Sequence, residues 1–482
     1  MISYQDYLKV GDSDRERMDF IRKVISEHIG SDLYRNAEDA ENYYTRQNTT
    51  ITKYQKLLYD MSGTAVPDNF SANYKICSGF FQRFVIQQVQ YLLGNGVSWK
   101  EEKTGDRLGD KFDAQLQKIA RNALVGAVAF GFWNYDHVDA FKVTEFAPIF
   151  DEEDGSIKCG VRFWQIDATK PLRATFYELD GYTEYIWRKE SEKEIGEVLK
   201  EKRKYVLKAR KMPSGDVEII DGYNYPSFPI VPLWANESHV GELSGLRSGI
   251  DAYDLIKSGF ANDLDDASQI YWTIQNAGGM DDVDLAAFIK HMKTVKAAVV
   301  EDTGARAESH TLEVPYASRE ALLERLRVDL YEDAMALDLK NIAGGAVTAT
   351  QIKAAYEPLN EKTDMFEYQV INFIQSILEL AGIDDEPTFT RSIIVNQQEM
   401  IQVLAQSAQY LSSDYITEKI LTLLGDGDRI DEILRDIDGE DIDRFGGEDG
   451  LRTRTDRQGT EEAGEEDNGG IREGLQGSEA ES

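Results

Sequence analysis

The sequence predicts an α+β fold that is mainly helical, and three observations support this prediction. Apolar residues recur at helical spacing before residue 143 and again after residue 233. Between these positions the apolar spacing changes to two, which is typical of antiparallel strands joined by turns. The chain has 482 residues, of which 41% are hydrophobic, so it is long enough for roughly two to four domains with packed cores.

The amino-terminal region is predicted to contain three helices. Residues 12–28 carry apolar side chains one turn apart, and Gly30 follows as a stop signal. Residues 74–93 have a broader apolar face and end in a turn with two glycines. The third helix covers residues 110–125 and leads into a strand-like segment at residues 128–135.

Residues 143–233 are predicted to form an antiparallel sheet. Short runs rich in aromatic and β-branched residues alternate with turns, and the clearest strands are 161–166, 172–177, 182–188 and 204–209. Between the third and fourth of these runs, residues 190–202 form an amphipathic and charged segment. We expect this segment to interrupt the sheet.

The second half of the chain is predicted to be helical again. Residues 246–270 form a long helix by their apolar spacing. A short α/β insert follows at residues 271–317, with a helix at 284–293 and a strand at 297–301. A second long helix is predicted over residues 318–339, and Ser318 is expected to cap it.

A glycine-bearing loop and another long helix come next. The glycine pair in residues 340–347 predicts a flexible loop. Thr348 is expected to cap the following helix, because Gln351 stands at the spacing of a capping box. The helix is predicted to continue to about residue 381 and to stop at Gly382.

Pro358 lies within this last helix. A proline removes one backbone hydrogen bond and clashes with the preceding turn, so we expect a kink close to it. The alternative is two separate helices with a break at the proline. A single kinked helix is favoured, because no glycine or turn cluster surrounds Pro358.

The carboxy-terminal part is predicted to contain short helices and then a disordered tail. The helices are expected at residues 397–411, 414–424 and 428–436. Residues 437–482 form an acidic tail that, from residue 446 onward, is rich in glycine and contains no aromatic residue. Such a segment buries too little apolar surface to offset the loss of chain entropy on folding.

The formal net charge is −34, because 87 acidic residues outnumber 53 basic ones. A simple DNA-binding protein needs a basic patch for the phosphates, and this balance argues against that class. Two interpretations stay open: solubility together with an acidic tail, or an acidic wall along which DNA slides without adhering. No signal peptide or membrane-spanning run is evident, so we expect a soluble protein made in the cytoplasm.

The sequence contains no strong motif for catalysis, nucleotide binding or metal binding. There is no phosphate-binding loop of an NTPase and no nucleophile elbow. The five histidines are scattered, and Cys77 and Cys159 lie far apart, which indicates buried apolar residues. Two acidic clusters are interpreted as solvated surface, namely Asp263, Asp265 and Asp266, and Asp281, Asp282 and Asp284. We therefore predict no catalytic residues, no metal site, no cofactor and no enzymatic activity.

The order of elements and several short motifs resemble the portal proteins of tailed double-stranded DNA bacteriophages, in particular those of long-tailed phages. The resemblance covers roughly residues 34–424. It rests on the following segments: 73–76 (Asn-Tyr-Lys-Ile), 90–95 (Gln-Tyr-Leu-Leu-Gly-Asn), 126–130 (Gly-Ala-Val-Ala-Phe), 251–256 (Asp-Ala-Tyr-Asp-Leu-Ile) with Ser258, Asn262 and Asp263, and 344–348 (Gly-Gly-Ala-Val-Thr). Gly96 departs from the proline that the family often has.

The resemblance implies a portal fold with wing, stem, clip and crown regions, assembling as a ring. These regions are, in chain order, a wing at 1–245 that includes the strand-rich part at 143–233, a stem helix at 246–270, the clip at 271–317, a second stem helix at 318–339, a tunnel loop at 340–347, a long kinked helix from channel to wing at 348–382, a helical crown at 383–436 and the acidic tail at 437–482.

The resemblance also implies where DNA passes. The channel residues are expected to be Lys340, Asn341, Ile342, Ala343, Gly344, Gly345, Ala346, Val347, Thr348 and Lys353. The glycine pair would let the loop change shape as DNA moves, and the kink at Pro358 would turn the helix from channel wall to wing. Lys340 and Lys353 flank the loop and are placed to touch phosphate, although salt bridges between subunits are an equally good interpretation.

The implied function is a ring, usually of twelve subunits, at one vertex of the capsid, through which double-stranded DNA is packaged and ejected. Its expected partners are the terminase large subunit, the head-tail connector or adaptor protein, and the major capsid and scaffolding proteins, with no membrane. The expected location is the virion, after synthesis in the host cytoplasm. Two alternatives are another structural head or connector protein and a metal-dependent nuclease that uses the Asp263 cluster.

Overall fold

The computed structural model describes residues 2–59, 63–68, 71–101, 103–190, 193–212, 217–267, 271–275, 306–310, 316–341 and 348–392, together with 401, 404–407, 410–424, 430 and 433–434. The chain divides into two compact units, Met1–Ile394 and Val395–Ser482. None of the helices in these ranges is long and apolar enough to cross a lipid bilayer.

The first unit contains ten described α-helices: α1 Tyr4–Tyr7, α2 Asp14–Ile29, α3 Asp32–Tyr44, α4 Thr49–Lys53, α5 Phe80–Leu93, α6 Lys103–Leu108, α7 Phe112–Gly126, α8 Leu243–Ala267, α9 Tyr316–Asp333 and α10 Ala349–Ala381. A short 3-10 helix covers Leu339–Asn341. In the second unit, α11 Ser413–Leu424 agrees with the helix predicted there. The predicted helices at 397–411 and 428–436, and the tail, lie wholly or largely outside the described residues.

The strands are β1 Leu57–Tyr59, β2 Ala65–Pro67, β3 Val97–Ser98, β4 Val128–Asn134, β5 His137–Lys142, β6 Phe146–Phe150, β7 Ile157–Trp164, β8 Leu172–Glu178, β9 Gly181–Glu190, β10 Lys193–Arg203, β11 Val206–Lys211, β12 Val217–Tyr223, β13 Ile230–Trp234, β14 Tyr271–Gln275, β15 Arg306–His310 and β16 Thr388–Phe389. Every described pairing is antiparallel, as predicted for residues 143–233. The main sheet has the order β10-β9-β8-β7-β6, and a smaller one has the order β13-β4-β5.

The predicted interruption of the sheet at residues 190–202 is wrong. This segment is mostly β10, which pairs with β9 in a register that sets Ile195 opposite Arg188. Its charges belong to an outer strand of the sheet, where they meet solvent or a neighbouring helix. Arg22 of α2, for example, donates two hydrogen bonds of 3.1 and 3.0 Å to Glu194. Charge alternation therefore marked an edge strand and not a break.

Two main cores hold the first unit together. In one, the apolar stripe of α2, with Ile21 and Ile25 completely buried, packs on the main sheet around Phe176. The other joins α5, α7, α8 and α10 with the smaller sheet, and Phe373 of α10 lies against Gly131 of β4. A Cβ atom at Gly131 would stand 2.4 Å from the Phe373 ring, so this contact requires glycine.

The predicted helix starts are confirmed in some places and wrong in others. Ser13 caps α2, and Gly30 ends it, close to the predicted bounds. By contrast, α5 begins at Phe80 and not at residue 74. The helix α3 was not predicted, because its buried stripe consists of Ala37, Ala40 and Tyr43, which is a weak apolar signal.

The long helices after residue 240 follow the predicted order. The first, α8, is close to its predicted bounds, but α9 begins at Tyr316, so Ser318 lies inside it and is not its cap. The helix α9 also ends at Asp333, six residues before the predicted end. Of the insert at 271–317, the structure describes the antiparallel pair β14 and β15 and the first two residues of α9. The helix predicted at 284–293 and the strand predicted at 297–301 lie outside the described residues.

The helix α10 is continuous across Pro358. Thr348 and Gln351 form the predicted capping box, and Gly382 ends the helix with a φ of 63°. The alternative of two separate helices is therefore not observed. The kink itself stays a prediction.

Candidate functional site

The structure describes the two ends of the predicted tunnel loop. Lys340 and Asn341 lie in the 3-10 helix that follows α9, whereas Ile342, Ala343, Gly344, Gly345, Ala346 and Val347 lie outside the described residues. Thr348 is the cap of α10, and Lys353 is exposed on the first turns of that helix. The site can thus be built from residues 334–341, called here the loop root, and from the start of α10.

The loop root begins directly after the last residue of α9, Asp333. Met335 has a φ of 50°, a left-handed conformation that glycine adopts far more easily than methionine. The Ala336 N–H donates to Tyr331 O over 3.0 Å, which closes the last turn. The sequence has no glycine here, so the predicted helix ran on to residue 339.

Gln87 of α5 holds the middle of the loop root. Its Nε2 donates to Leu337 O, and its Oε1 accepts from Leu337 N, each over 3.0 Å. Both backbone polar groups of Leu337 are satisfied, which matters because this residue is buried. A side chain on a different helix therefore fixes the path of the chain just before the predicted tunnel loop.

Arg327 of α9 forms the ionic part of the loop root. Its guanidinium contacts Asp338 Oδ2 at 2.7 Å and Glu324 at 3.0 Å, and the Arg327 and Asp338 side chains are 15% and 10% exposed. The hydrogen bonds that the Arg327 guanidinium donates to Glu324 and Asp338 raise its pKa above the ordinary value. Asp338 Oδ1 also accepts from Lys340 N over 3.1 Å, so one buried carboxylate joins helix and loop.

The chain segments that precede and follow the predicted tunnel loop meet in a small apolar cluster. Leu337 packs with four residues of α5 and α10: Tyr91, Ile352, Tyr356 and Leu359. Tyr91 and Tyr356 stack with their ring centroids 5.5 Å apart. The burial of these side chains stabilises the start and the end of the loop at one place.

The two lysines that flank the loop differ in their partners. Lys340 Nζ lies 3.4 Å from Glu324 Oε2, and its side chain is 65% exposed. Lys353 forms no ion pair with any residue that the structure describes. Lys353 is therefore the more available cation for a phosphate group, while the charge of Lys340 is partly balanced.

A second polar arrangement connects α8 with residues 74–78, called here the strap. The backbone N–H groups of Tyr74, Ile76 and Ser78 donate to Asn262, Ser258 and Asp254 over 2.6, 2.9 and 2.9 Å. These acceptors stand four residues apart on one face of α8, and the donors stand two apart on an extended segment. This pairing explains why the strap is not the first turn of α5.

Asp254 is the most buried member of this row, with no exposed surface. Burial raises the pKa of its carboxyl group, and hydrogen bonds from Ser78 and from the Asn48 amide oppose that rise. Asp251, one turn earlier, accepts from Thr50 Oγ1 over 2.8 Å and from the Tyr43 hydroxyl. The carboxylates of α8 therefore hold the amino-terminal segments in place.

The remaining ionisable candidates that the structure describes do not converge on one site. In the described part of the chain, no group of three or more His, Cys, Asp or Glu side chains is arranged to hold a metal ion. Asp263 pairs with Arg319, and Asp281, Asp282 and Asp284 lie outside the described residues. Cys159 is buried as predicted, but Cys77 is only partly buried.

Residues 25–442 match the family described as "Phage portal protein, SPP1 Gp6-like". The chain belongs to this phage portal protein family. The match spans most of the sequence and agrees with the resemblance found in the short motifs. The paired segments of the strap and α8 are two of those motifs, so the structure gives them a shared physical role in this portal family member.

Two curated relatives are portal proteins. The portal protein of Bacillus phage SPP1 is 25% identical over 421 residues, which cover 80% of this chain and 79% of that relative. The portal protein of Clostridium phage phiCD119 is 27% identical over 203 residues, which cover 40% of this chain and 45% of that relative.

Solved structures with similarity to this chain come from gene transfer agent (GTA) particles. A chain of the virion of the native particle has a TM-score of 0.39 and 13% identity, with 71% of this chain and 89% of that chain covered. A chain from the neck of the native particle, computed with C12 symmetry, has a TM-score of 0.39 and 10% identity over the same shares.

Sequence reasoning predicted the loop but missed the residues that hold its root. Neither Gln87 nor Arg327 has a motif around it, and Gln87 acts on a segment 250 positions away in sequence. The strap and its acceptors were noticed as motifs, but their mutual hydrogen bonds were not foreseen. The available signal was the spacing of polar residues: the acceptors stand four residues apart on α8, and the donors stand two residues apart on the strap.

Proposed function

We propose that this chain is the subunit of a ring at one vertex of a phage capsid, whose central channel conducts double-stranded DNA during packaging and ejection. The observation that supports this most is the family match over residues 25–442. The 25% identical relative from phage SPP1, a portal protein, supports it over 80% of the chain. The protein would act as a conduit without enzymatic activity.

The proposed tunnel loop suits a conduit by its chemistry. Residues 342–347 carry no charge, so they offer a phosphate backbone no ion pair on which to stall. The loop root and the start of α10 fix both ends of the loop through Gln87, Arg327 and the Leu337 cluster. Contact with DNA would then fall on uncharged residues, with Lys353 nearby.

The regions proposed for the ring follow the resemblance. The wing would be 1–245, the stem α8 and α9, the clip 271–317, the tunnel loop 340–347 and the crown 383–436, with α10 leading from channel to wing. Residues 383–392 pack with the amino-terminal helices, for example through the hydrogen bond from Thr104 to Asp385 over 2.6 Å. We therefore propose that the crown proper starts after this segment.

The negative charge of the chain opposes assembly of a ring by electrostatic repulsion. With twelve subunits, the formal charge of the ring would be 12 × −34, or −408. Large and specific interfaces must overcome this repulsion, and an acidic channel wall would resist adhesion of phosphate. The proposed partners are further copies of this chain, the terminase large subunit, the head-tail connector, and the capsid and scaffolding proteins.

Negative-stain microscopy of the purified chain tests the proposal most directly. Rings with a central hole as wide as a DNA duplex are expected, together with packaging of DNA when the chain is supplied to portal-free heads. A compact monomer under all assembly conditions would overturn the proposal. Cleavage of DNA in the presence of Mg²⁺ that is lost in Asp265→Ala would instead support the nuclease alternative.

A further inference from the structure

Lys362 of α10 touches the ends of two other helices. Its Nζ donates to Ala334 O over 3.1 Å, and it forms an ion pair with Glu242 Oε2 at 2.6 Å. Ala334 directly follows α9, and Glu242 directly precedes α8. One side chain thus contacts both proposed stem helices where they enter the wing.

The contacts of Lys362 are shielded from water. Its side chain is 14% exposed and that of Glu242 is 19% exposed, while Ala334 is buried. A lysine in such a place is stable only with its charge paired and its N–H donors used. The Ala334 carbonyl belongs to the negative end of α9, which favours a cation. Surface solvation therefore does not explain why a lysine stands here.

Glu242 extends this contact to a third helix. Its backbone N–H donates to Leu124 O in the last turn of α7 over 3.1 Å. The ends of α7, α8 and α9 are consequently joined at one junction, with Lys362 of α10 at its centre. Sequence separation between these parts is large, so no local pattern predicts the junction.

Lys362 lies on α10 shortly after the proline in that helix. Pro358 lies four residues earlier and has no N–H, so the helix lacks one backbone hydrogen bond there. On both sides of the proline, α10 packs on Leu337 of the loop root, through Tyr356 and Leu359. One turn after the proline, Lys362 bonds to Ala334, where the loop root leaves α9, and to Glu242, which precedes α8.

We infer that Lys362 is a positioning residue, which fixes both stem helices to α10 and so keeps the tunnel loop in register with the stem. This inference rests on the proposed portal function. It adds to that function a named ion pair, Lys362 with Glu242, through which the stem and the loop-bearing helix move together. Lys362 itself is not expected to touch DNA.

The test compares assembled rings of the full chain carrying Lys362→Met, Glu242→Gln or both changes. Lys118→Met, which alters an exposed lysine on α7, serves as the matched control. In Lys362→Met, amide exchange is expected to rise about tenfold at residues 334–337 and 243–246, while the strands β7, β8 and β9 keep their rates. Glu242→Gln is expected to raise amide exchange at the same residues. The double variant should show no larger rise than either single variant, because the two residues act as a unit.

Packaging provides the functional readout. Rings of Lys362→Met are expected to form and to enter heads in normal number, yet to package DNA about tenfold less well. Lys362→Arg, which keeps the charge and the donors, should restore packaging.

Equal amide exchange in the wild type and both single variants would overturn the inference. A uniform rise in exchange across the whole unit, or normal packaging by Lys362→Met, would also overturn it. Failure of wild-type rings to form or to package DNA would instead overturn the proposed function. The exchange data would still test whether Lys362 and Glu242 hold the helix ends together.

Discussion

The side-chain amide of Gln87 forms two hydrogen bonds with the backbone N–H and C=O of Leu337, each 3.0 Å long. The residues are 250 positions apart, and Leu337 is buried. Replacing this amide leaves a buried N–H and a buried C=O without partners. The path of the chain into the tunnel loop therefore depends on one glutamine of α5.

Gln87→Met keeps the length of the side chain but removes both hydrogen bonds. We expect a loss of about 2 kcal/mol in the free energy of unfolding, because two buried backbone groups lose their partners. Urea titration followed by circular dichroism measures this change. Gln90→Met on the exposed side of α5 is the control, and equal stability of the two variants would contradict the role of Gln87.

Asp254→Ala should release the strap from α8. The Ser78 N–H and the Asn48 amide would both lose a buried acceptor, so we expect a loss of about 2 kcal/mol. Amide exchange at residues 76–78 should accelerate in the same variant. Asp265→Ala, an exposed change on the same helix, is expected to alter stability by less than about 0.5 kcal/mol. Unchanged exchange in the strap would refute the prediction.

Met335→Gly should stabilise the chain. The left-handed φ of 50° at Met335 strains any residue with a Cβ atom, and glycine relieves that strain. The expected gain is about 1 kcal/mol, measured as a higher midpoint of urea unfolding. Ala336→Gly, one residue later, lacks this benefit and should lower stability. A loss of stability in Met335→Gly would show that side-chain packing outweighs backbone strain.

His28 should make stability depend on pH below neutrality. Burial lowers its pKa, although the hydrogen bond of 2.7 Å between Nε2 and Val143 O opposes this effect. In the unfolded chain the pKa is about 6.5, so the unfolded state binds a proton first as the pH falls. The contribution of His28 is thus present above about pH 6.5 and is lost as the pH falls from there through the lowered folded-state pKa.

His28→Gln is expected to have a flatter stability profile between about pH 7 and pH 5 than the wild type, because glutamine does not titrate. Thermal unfolding across this range measures the difference. The exposed His137→Gln serves as the control. Parallel profiles of wild type and His28→Gln would exclude the predicted linkage.

Local signals in the sequence were sufficient for most elements. The capping box of Thr348 and Gln351, the stop at Gly382 and the period-two runs of β8 and β9 each depend on residues close together in the chain. Errors arose where a distant partner overrides the local signal. Residues 74–79 look helical by apolar spacing, but their N–H groups bond to side chains of α8. The end of α9 is set by Met335 and by the contacts of Leu337, with no local stop residue.

The sequence by itself determined the order of helices and strands, the acidic character of the chain and its resemblance to phage portal proteins, and it predicted a tunnel loop at residues 340–347. These properties depend on residue spacing, charge and short motifs, which are local. Only the tertiary structure decided which residues hold the loop root, because Gln87 acts on Leu337 across 250 positions and Arg327 pairs with Asp338 without any motif that marks the pair. A polar side chain has the same local pattern whether it is solvated or bonded to a buried peptide. The difference lies in the burial and geometry of a partner that only folding brings close.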